Sequence, residues 1–541
     1  MFDVENRYIN HFIKLISIIK NNFVFSVSVT GTLILHLFFA WLPLERLEGF
    51  TFPWSKGPLM DDSYIFFTIS RDLADWFSGM LPSLHLTSGF QPLIALLYTP
   101  FFQLFWDNKE IPIHCALSLN ALLGFFAHIS LYCLLRKIVS RAIATFLVSI
   151  WIWSPYVMNQ TINGMETTLA LLLLLITLQY YWQINDLAQS KNRSWVYLGL
   201  LLGIGFWARV DLGLLGVAIV IDQAWQSFRS DEPVFPVRMW NIILCSSIAL
   251  VVASPWILFS VITTDNMIPL SGKGVHQITS LTFNYLDPNH PGFPYMMFVH
   301  FAKEFFLYQP FIALSQHISW QLFITGLGVI GLVLALRNRE LRALFRPVWF
   351  VQLIILVSYL VFIGGFWHLN RYLYPVYTLM LFLHTALLSY FELKLKGRRW
   401  ILSVLLFSLF IFYAFSYTFE YHSYLSKPRP SRYFSAVHFV KARIPPQVKI
   451  GTFQSGALSY WLNNQVINLD GVINREAYLH VKNKTLGTYL EDQKVDYLVE
   501  EKYLFKMWNH YLEGQLSKNF ALVASKPGSG WYGWGIYKHI P

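Results

Sequence analysis

Two adjacent carboxylates, Asp61 and Asp62, lie in Met60-Asp61-Asp62-Ser63-Tyr64, at the head of a segment whose apolar residues Ile65, Ile69, Leu73 and Trp76 repeat at helical spacing. A helix needs one carboxylate at most to cap it, so the second acid is free for chemistry. Two neighbouring acids in a partly desolvated setting repel, which raises the pKa of one of them and suits it to take a proton as a general base. The residues alone do not say which of the two is the base and which orients it or binds substrate. The plainer alternative is that one of them only caps the helix.

Other ionisable groups recur at the ends of apolar runs. Glu166 follows Asn163-Gly164-Met165, where an acid also suits a helix dipole. Arg209 and Asp211 interrupt an apolar stretch, where they either neutralise each other or line a polar cavity. In Ile268-Pro269-Leu270-Ser271-Gly272-Lys273-Gly274 the lysine between glycines predicts a loop able to wrap a phosphate. His368 and Arg371 border a tight turn, where an arginine is also a common snorkelling residue, and His276 belongs to the long loop that holds Lys273. Gln91 in Thr87-Ser88-Gly89-Phe90-Gln91-Pro92 reads by itself as turn chemistry, as does Asp470-Gly471.

The elements that must position these groups follow from composition. Of 541 residues, 55% are hydrophobic and only 13% charged, against about a quarter charged in a soluble globular protein. Most of the length belongs in lipid. The net charge of +11 comes from short Lys/Arg clusters between apolar runs, the pattern of cytoplasmic loops, and does not point to nucleic acid. Cys115, Cys133 and Cys245 lie within apolar runs and define neither a zinc site nor a disulfide framework. Arg7, Lys14 and Lys20 precede the first apolar run as in a retained signal anchor.

Apolar runs at 24–44, 112–135, 142–158, 167–184, 239–262, 319–336, 347–366, 372–393 and 401–419 are candidate spans. The clusters Arg337, Arg339, Arg342, Arg346 and Lys394, Lys396, Arg398, Arg399 fix two cytoplasmic loops. Consistency then requires 194–226 to cross twice and break at Arg209-Val210-Asp211, with the N-terminus inside and 420–541 outside. The run 90–106, with Pro92 and Pro100, is either a span or re-entrant. The predicted fold is a polytopic α-helical membrane protein of about 10–12 transmembrane helices, residues 1–419, followed by a small extracytoplasmic α/β domain, residues 420–541. In that domain 449–453, 465–470 and 496–500 read as strands, 475–492 as helical, and the stretch with Gly530 and Gly533 as a hairpin. Asp61, Asp62, Glu166, Arg209, Asp211, Lys273, His276, His368 and Arg371 all fall on the outer face.

The ordered set resembles bacterial membrane glycosyltransferases of the GT-C superfamily: the acidic pair, Ser88-Gly89-Phe90-Gln91-Pro92-Leu93, Asn163-Gly164-Met165-Glu166-Thr167, Ala208-Arg209-Val210-Asp211, the Ile268 to Lys273 segment and Arg371-Tyr372 before Pro375. The similarity is greatest to the mycobacterial terminal arabinofuranosyltransferase group and to proteins labelled dolichyl-phosphate-mannose mannosyltransferase-like. It implies transfer of a sugar from a polyprenyl-phosphate donor to a glycan or lipid acceptor of the cell envelope. On that resemblance the first acid of the pair, Asp61, is the base, the part of Asp62 stays open, and Lys273, Arg209 and Arg371 hold the donor phosphate. Glu166, Asp211, His276, His368, Gln91 and Asp470 are candidate substrate-binding residues. No cofactor is required by these residues, and a divalent metal stays open. Two other classes compete: a transporter or flippase of lipid-linked sugars, which would show internal repeats and midplane charges not found here, and a membrane scaffold whose acids only cap helices.

Overall fold

The computed structural model describes residues 22–49, 57–78, 87–185, 192–228, 235–286, 318–363, 369–395, 399–426, 431–527 and 533–540. Arg7, Lys14, Lys20, His368, Lys396, Arg398 and Gly530 lie outside them.

Among the described residues, seven helices are long and apolar enough to cross a membrane, and the pair Arg141–Ile152 and Pro155–Thr161, bent by 68°, would make an eighth. The seven include Phe23–Ala40, Ile111–Leu135, Thr167–Asn185 and Tyr374–Lys394. The run around residue 98 forms a helix of 13 residues, Pro92–Leu104. At about 1.5 Å per residue it spans roughly 20 Å, short of a bilayer core of about 30 Å. The stretch 194–226 breaks where its charges predicted: Asn192–Ala208 and Gly213–Phe228 are joined by a single 3₁₀ turn, Val210–Leu212.

The two ends of the helical bundle differ chemically. At one end Arg346 pairs with Asp222, which also accepts from Tyr181, and Arg238 donates to Gln226 at 3.0 Å. Phe235–Thr264 runs from this end to the other, where Thr264 bonds Ser88 at 3.3 Å. At that second end lie the helix Asp61–Phe77 and, packed onto it, the C-terminal domain.

That domain has a five-stranded sheet of order β2-β1-β3-β5-β4, with β1 Lys449–Thr452, β2 Gln465–Asn468, β3 Tyr497–Glu501, β4 Phe520–Lys526 and β5 Trp534–His539. β2, β1 and β3 are parallel, while β4 and β5 form the antiparallel closing pair. The parallel connections are helical, as crossovers must be, and use Gly456–Trp461 and then Arg475–Lys482 and Leu486–Asp492.

Two carboxylates from the first loop clamp the domain onto the membrane part. Glu48 accepts from the backbone N–H groups of Tyr433 and Phe434, both at 3.0 Å, at the start of the helix Tyr433–Lys441. Asp61 accepts from the N–H groups of Gly456 and Ala457, both at 2.9 Å. Each satisfies donors that a helix start leaves unpaired. Around them Tyr64 packs against Phe434, Tyr460 and Trp461, and Arg71 donates to the Tyr460 carbonyl at 3.2 Å.

The approach is close enough to demand glycine at position 456, where a Cβ would stand 2.0 Å from the Asp61 carbonyl oxygen. Gly456→Ala must push the two parts apart. We expect a loss of about 1–3 kcal/mol, the usual cost of overpacking, read as a lower Tm of the detergent-purified protein. An unchanged Tm would mean that this contact does not hold the domain.

Candidate active site

The helix Asp61–Phe77, the head of Pro92–Leu104, the helix Leu270–Leu286 and the C-terminal sheet enclose a cavity of about 530 Å³. Asp61, Asp62, Gln91, Glu166, Arg371 and Asp470, six of the residues expected from sequence, line it. They come from five separate places in the chain, so the fold gathers them.

Asp61 is buried, and each of its oxygens takes one backbone N–H, which leaves one lone pair per oxygen for the cavity. Burial pushes its carboxyl up to about 6; the Ala457 and Gly456 N–H groups oppose that shift and the Asp62 charge adds to it. Asp62 is one-third exposed and accepts from Arg371 Nη1 at 2.9 Å. Arg371 in turn donates to the Tyr372 hydroxyl at 3.1 Å and lies over that ring. Asp62 and Arg371 thus form a neutralised pair at the cavity wall, while Asp61 has no cation bonded to it among the described residues.

Asp470 is held by the Val472 N–H at 2.9 Å, and burial pushes its carboxyl up to about 7. Glu166 is buried where Thr167–Asn185 begins.

Four expected residues do not line the cavity. Arg209 donates to Asp211 at 2.7 Å, to the Tyr359 hydroxyl at 2.7 Å and to the Tyr372 carbonyl at 2.8 Å. It neutralises Asp211 at the helix break and fastens the Arg371-Tyr372 segment from behind. Lys273 donates to the side chain of Asn266, and His276 follows on the same helix. The expected phosphate-wrapping loop is instead the first turn of Leu270–Leu286, whose Ser271 and Val275 face the cavity. Its glycine has another purpose: a Cβ on Gly274 would stand 3.1 Å from the Val472 Cα.

Sequence reasoning missed the domain's own contribution. Arg432 and Glu501 line the cavity and are joined by two hydrogen bonds of 2.5 Å, beside Gln454, Tyr503, Met507 and a stacked Phe453–Trp508 pair at 4.4 Å. Behind this wall Glu500 accepts from the N–H groups of Phe453 and Gln454 at 2.8 and 3.2 Å, and burial pushes its carboxyl up to about 8. The only local signal was Glu500-Glu501 at the end of an apolar strand, where a pair of acids is unexpected.

No group of three or more metal-ligating side chains comes together among the described residues.

Residues 91–261 match the family described as dolichyl-phosphate-mannose-protein mannosyltransferase. Residues 423–537 match a domain family of unknown function. No curated protein matches the chain by sequence. Among solved structures, the oligosaccharyltransferase AglB of Archaeoglobus fulgidus, in complex with an inhibitory peptide and a dolichol-phosphate, superposes with a TM-score of 0.53 at 12% identity, over 95% of this chain and 74% of that one. Its apo form gives 0.54 at 12% identity over the same shares. ArnT of Cupriavidus metallidurans bound to undecaprenyl phosphate gives 0.44 at 14% identity, over 95% and 98%. The architecture is that of a multi-pass membrane protein with a small C-terminal sheet domain. The superposition on AglB is a likeness of fold.

Proposed function

We propose that this chain is a glycosyltransferase that moves a sugar from a polyprenyl-phosphate donor to a cell-envelope glycan or lipid acceptor, at the non-cytoplasmic face of the membrane. One observation carries the reading: a cavity at the membrane-module–domain junction that holds a buried carboxylate, Asp61, with no cation bonded to it among the described residues, beside an Asp62–Arg371 pair. The AglB complex with dolichol-phosphate supports a lipid-phosphate donor. The cavity lies at the opposite end of the bundle from Arg238 and Arg346, and basic ends are cytoplasmic as a rule.

Asp61 takes the proton of the acceptor hydroxyl as its oxygen attacks the anomeric carbon, and the bond from that carbon to the phosphate oxygen breaks. The phosphate leaves as an anion, and Arg371, released from Asp62 as the donor enters, receives it. Glu166 adds negative charge near Arg371 and holds it in place. A guanidinium serves better here than an ammonium because it can bond two phosphate oxygens at once.

The test is donor consumption. Protein in proteoliposomes, given undecaprenyl-phosphate-linked hexoses and pentoses together with an envelope extract, should release undecaprenyl phosphate measurable by mass spectrometry. Release should require both protein and extract. Donors that cross the membrane intact, without cleavage, would point to the transporter class instead.

A further inference from the structure

The cavity has two unlike walls. The membrane module supplies Asp61, Asp62 and Arg371; the C-terminal domain supplies Arg432, Gln454, Asp470, Glu501 and an aromatic face. From the second wall we infer that the C-terminal domain is the acceptor subsite, and that the acceptor is a hydroxyl-rich glycan without negative charge. This rests on the glycosyltransferase reading for the word acceptor, but the binding itself does not.

The first argument is hydrogen-bond demand. Gln454 Oε1 on the domain and Gln91 Oε1 on the membrane module both belong to the lining, both are shielded from solvent, and neither accepts a hydrogen bond among the described residues. A buried carbonyl oxygen left unsatisfied is costly, and a ligand hydroxyl donated to it would remove that cost. Asp470 and Glu501 add carboxylate oxygens, which when ionised can only accept. The wall therefore asks for a ligand rich in donors. A sugar has a donor on nearly every carbon. Its hydroxyls rotate to donate wherever an oxygen waits, whereas a peptide backbone offers one N–H per residue in a fixed direction and fits less well.

Charge gives the second argument. Among the domain's lining residues Arg432 is the single cation, and it is joined to Glu501 by both its Nε and Nη2. Asp470 then leaves this wall with an excess of negative charge when ionised. A uronic acid or a phosphorylated lipid head group would meet repulsion here, whereas the donor phosphate has Arg371 on the opposite wall.

The third argument is shape. Phe453 and Trp508 stack within 8° of parallel and Tyr503, Leu504 and Met507 extend that surface. Flat apolar rings suit the C–H faces of a sugar. Glu500 fixes this surface from behind through the Phe453 and Gln454 N–H groups, so the wall is preformed.

The test uses the full chain in nanodiscs and saturation-transfer NMR. Probes are neutral manno- and arabino-oligosaccharides, oligogalacturonate, a serine-rich peptide and, separately, undecaprenyl phosphate. Neutral oligosaccharides should bind in preference to oligogalacturonate and peptide. Gln454→Leu, which removes the unsatisfied oxygen and keeps the bulk, should weaken them about tenfold and leave undecaprenyl phosphate binding unchanged. Gln454→Glu, which restores acceptor oxygens, should recover affinity. Oligogalacturonate or peptide bound as well as the neutral glycans would overturn the inference, as would Gln454→Leu with undiminished glycan binding. Neutral glycans bound by a protein that ignores undecaprenyl phosphate would support the subsite and sink the donor reading instead.

Discussion

Asp61→Asn is expected to lower turnover by a factor on the order of 10²–10⁴, the usual share of a general base. The substitution has a second effect, because Asp61 also accepts the Gly456 and Ala457 N–H groups. An amide there turns an NH₂ toward one of them, donor facing donor, and loosens the domain. Glu48→Gln separates the two effects. Glu48 makes the same kind of contact, to the Tyr433 and Phe434 N–H groups, and does not line the cavity. It should lower the Tm by a similar amount while retaining most turnover. If Glu48→Gln loses as much activity as Asp61→Asn, then Asp61 is a docking residue and the base must be sought at Asp62.

The pH profile gives an independent reading. Asp61 acts as a base only when ionised, and its carboxyl is pushed up to about 6. In the wild type kcat/KM should therefore fall about tenfold per unit below that pH, since this ratio follows the free enzyme's groups. The residual activity of Asp61→Asn should lack that limb. A limb that survives the substitution belongs to another group, with Asp470 at about 7 the first candidate.

The parts legible in the sequence were those whose signal is local. Long apolar runs and basic loops located the spans, and Arg209-Val210-Asp211 located a break, because charges cannot continue through lipid unpaired. The strands of the tail were visible as short apolar runs, and the Asp61-Asp62 pair as an acid too many for a cap. What could not be read were partners hundreds of residues away. Nothing near Asp61 announces that Gly456 and Ala457 will donate to it, and nothing near Glu48 announces Tyr433. The segment around Lys273 folds otherwise than expected for a physical reason. Glycines around a lysine look like a phosphate loop, but here the segment is a helix start, and Gly274 clears room for the backbone at Val472. Arg371 reads in the sequence both as a phosphate-binding cation and as a snorkelling residue, and nothing near it announces Asp62 as its partner.

The different settings of Lys273 and Arg371 yield the second large effect. Arg371→Met should weaken binding of undecaprenyl phosphate by about 10–100-fold, corresponding to the roughly 1.5–3 kcal/mol of a charge-assisted hydrogen bond. Lys273→Met should change it far less, since that ammonium is bonded to Asn266 outside the cavity. Arg371→Met alone also strands the Asp62 carboxylate beside an apolar side chain, so its Tm should fall and part of the loss in affinity could be structural. Arg371→Met combined with Asp62→Asn removes that stranded charge. In the double variant the Tm should recover while the affinity for undecaprenyl phosphate stays low. Recovery of affinity together with Tm would show that Arg371 only supports the fold, and a larger loss in Lys273→Met than in Arg371→Met would return the phosphate to the lysine. Tyr372 offers a further check on the same geometry. Its ring lies under the Arg371 guanidinium and its carbonyl is held by Arg209. Arg209→Met should therefore weaken donor binding indirectly, by releasing the segment that aims Arg371, and Arg371→Met with Arg209→Met should lose little more than Arg371→Met alone.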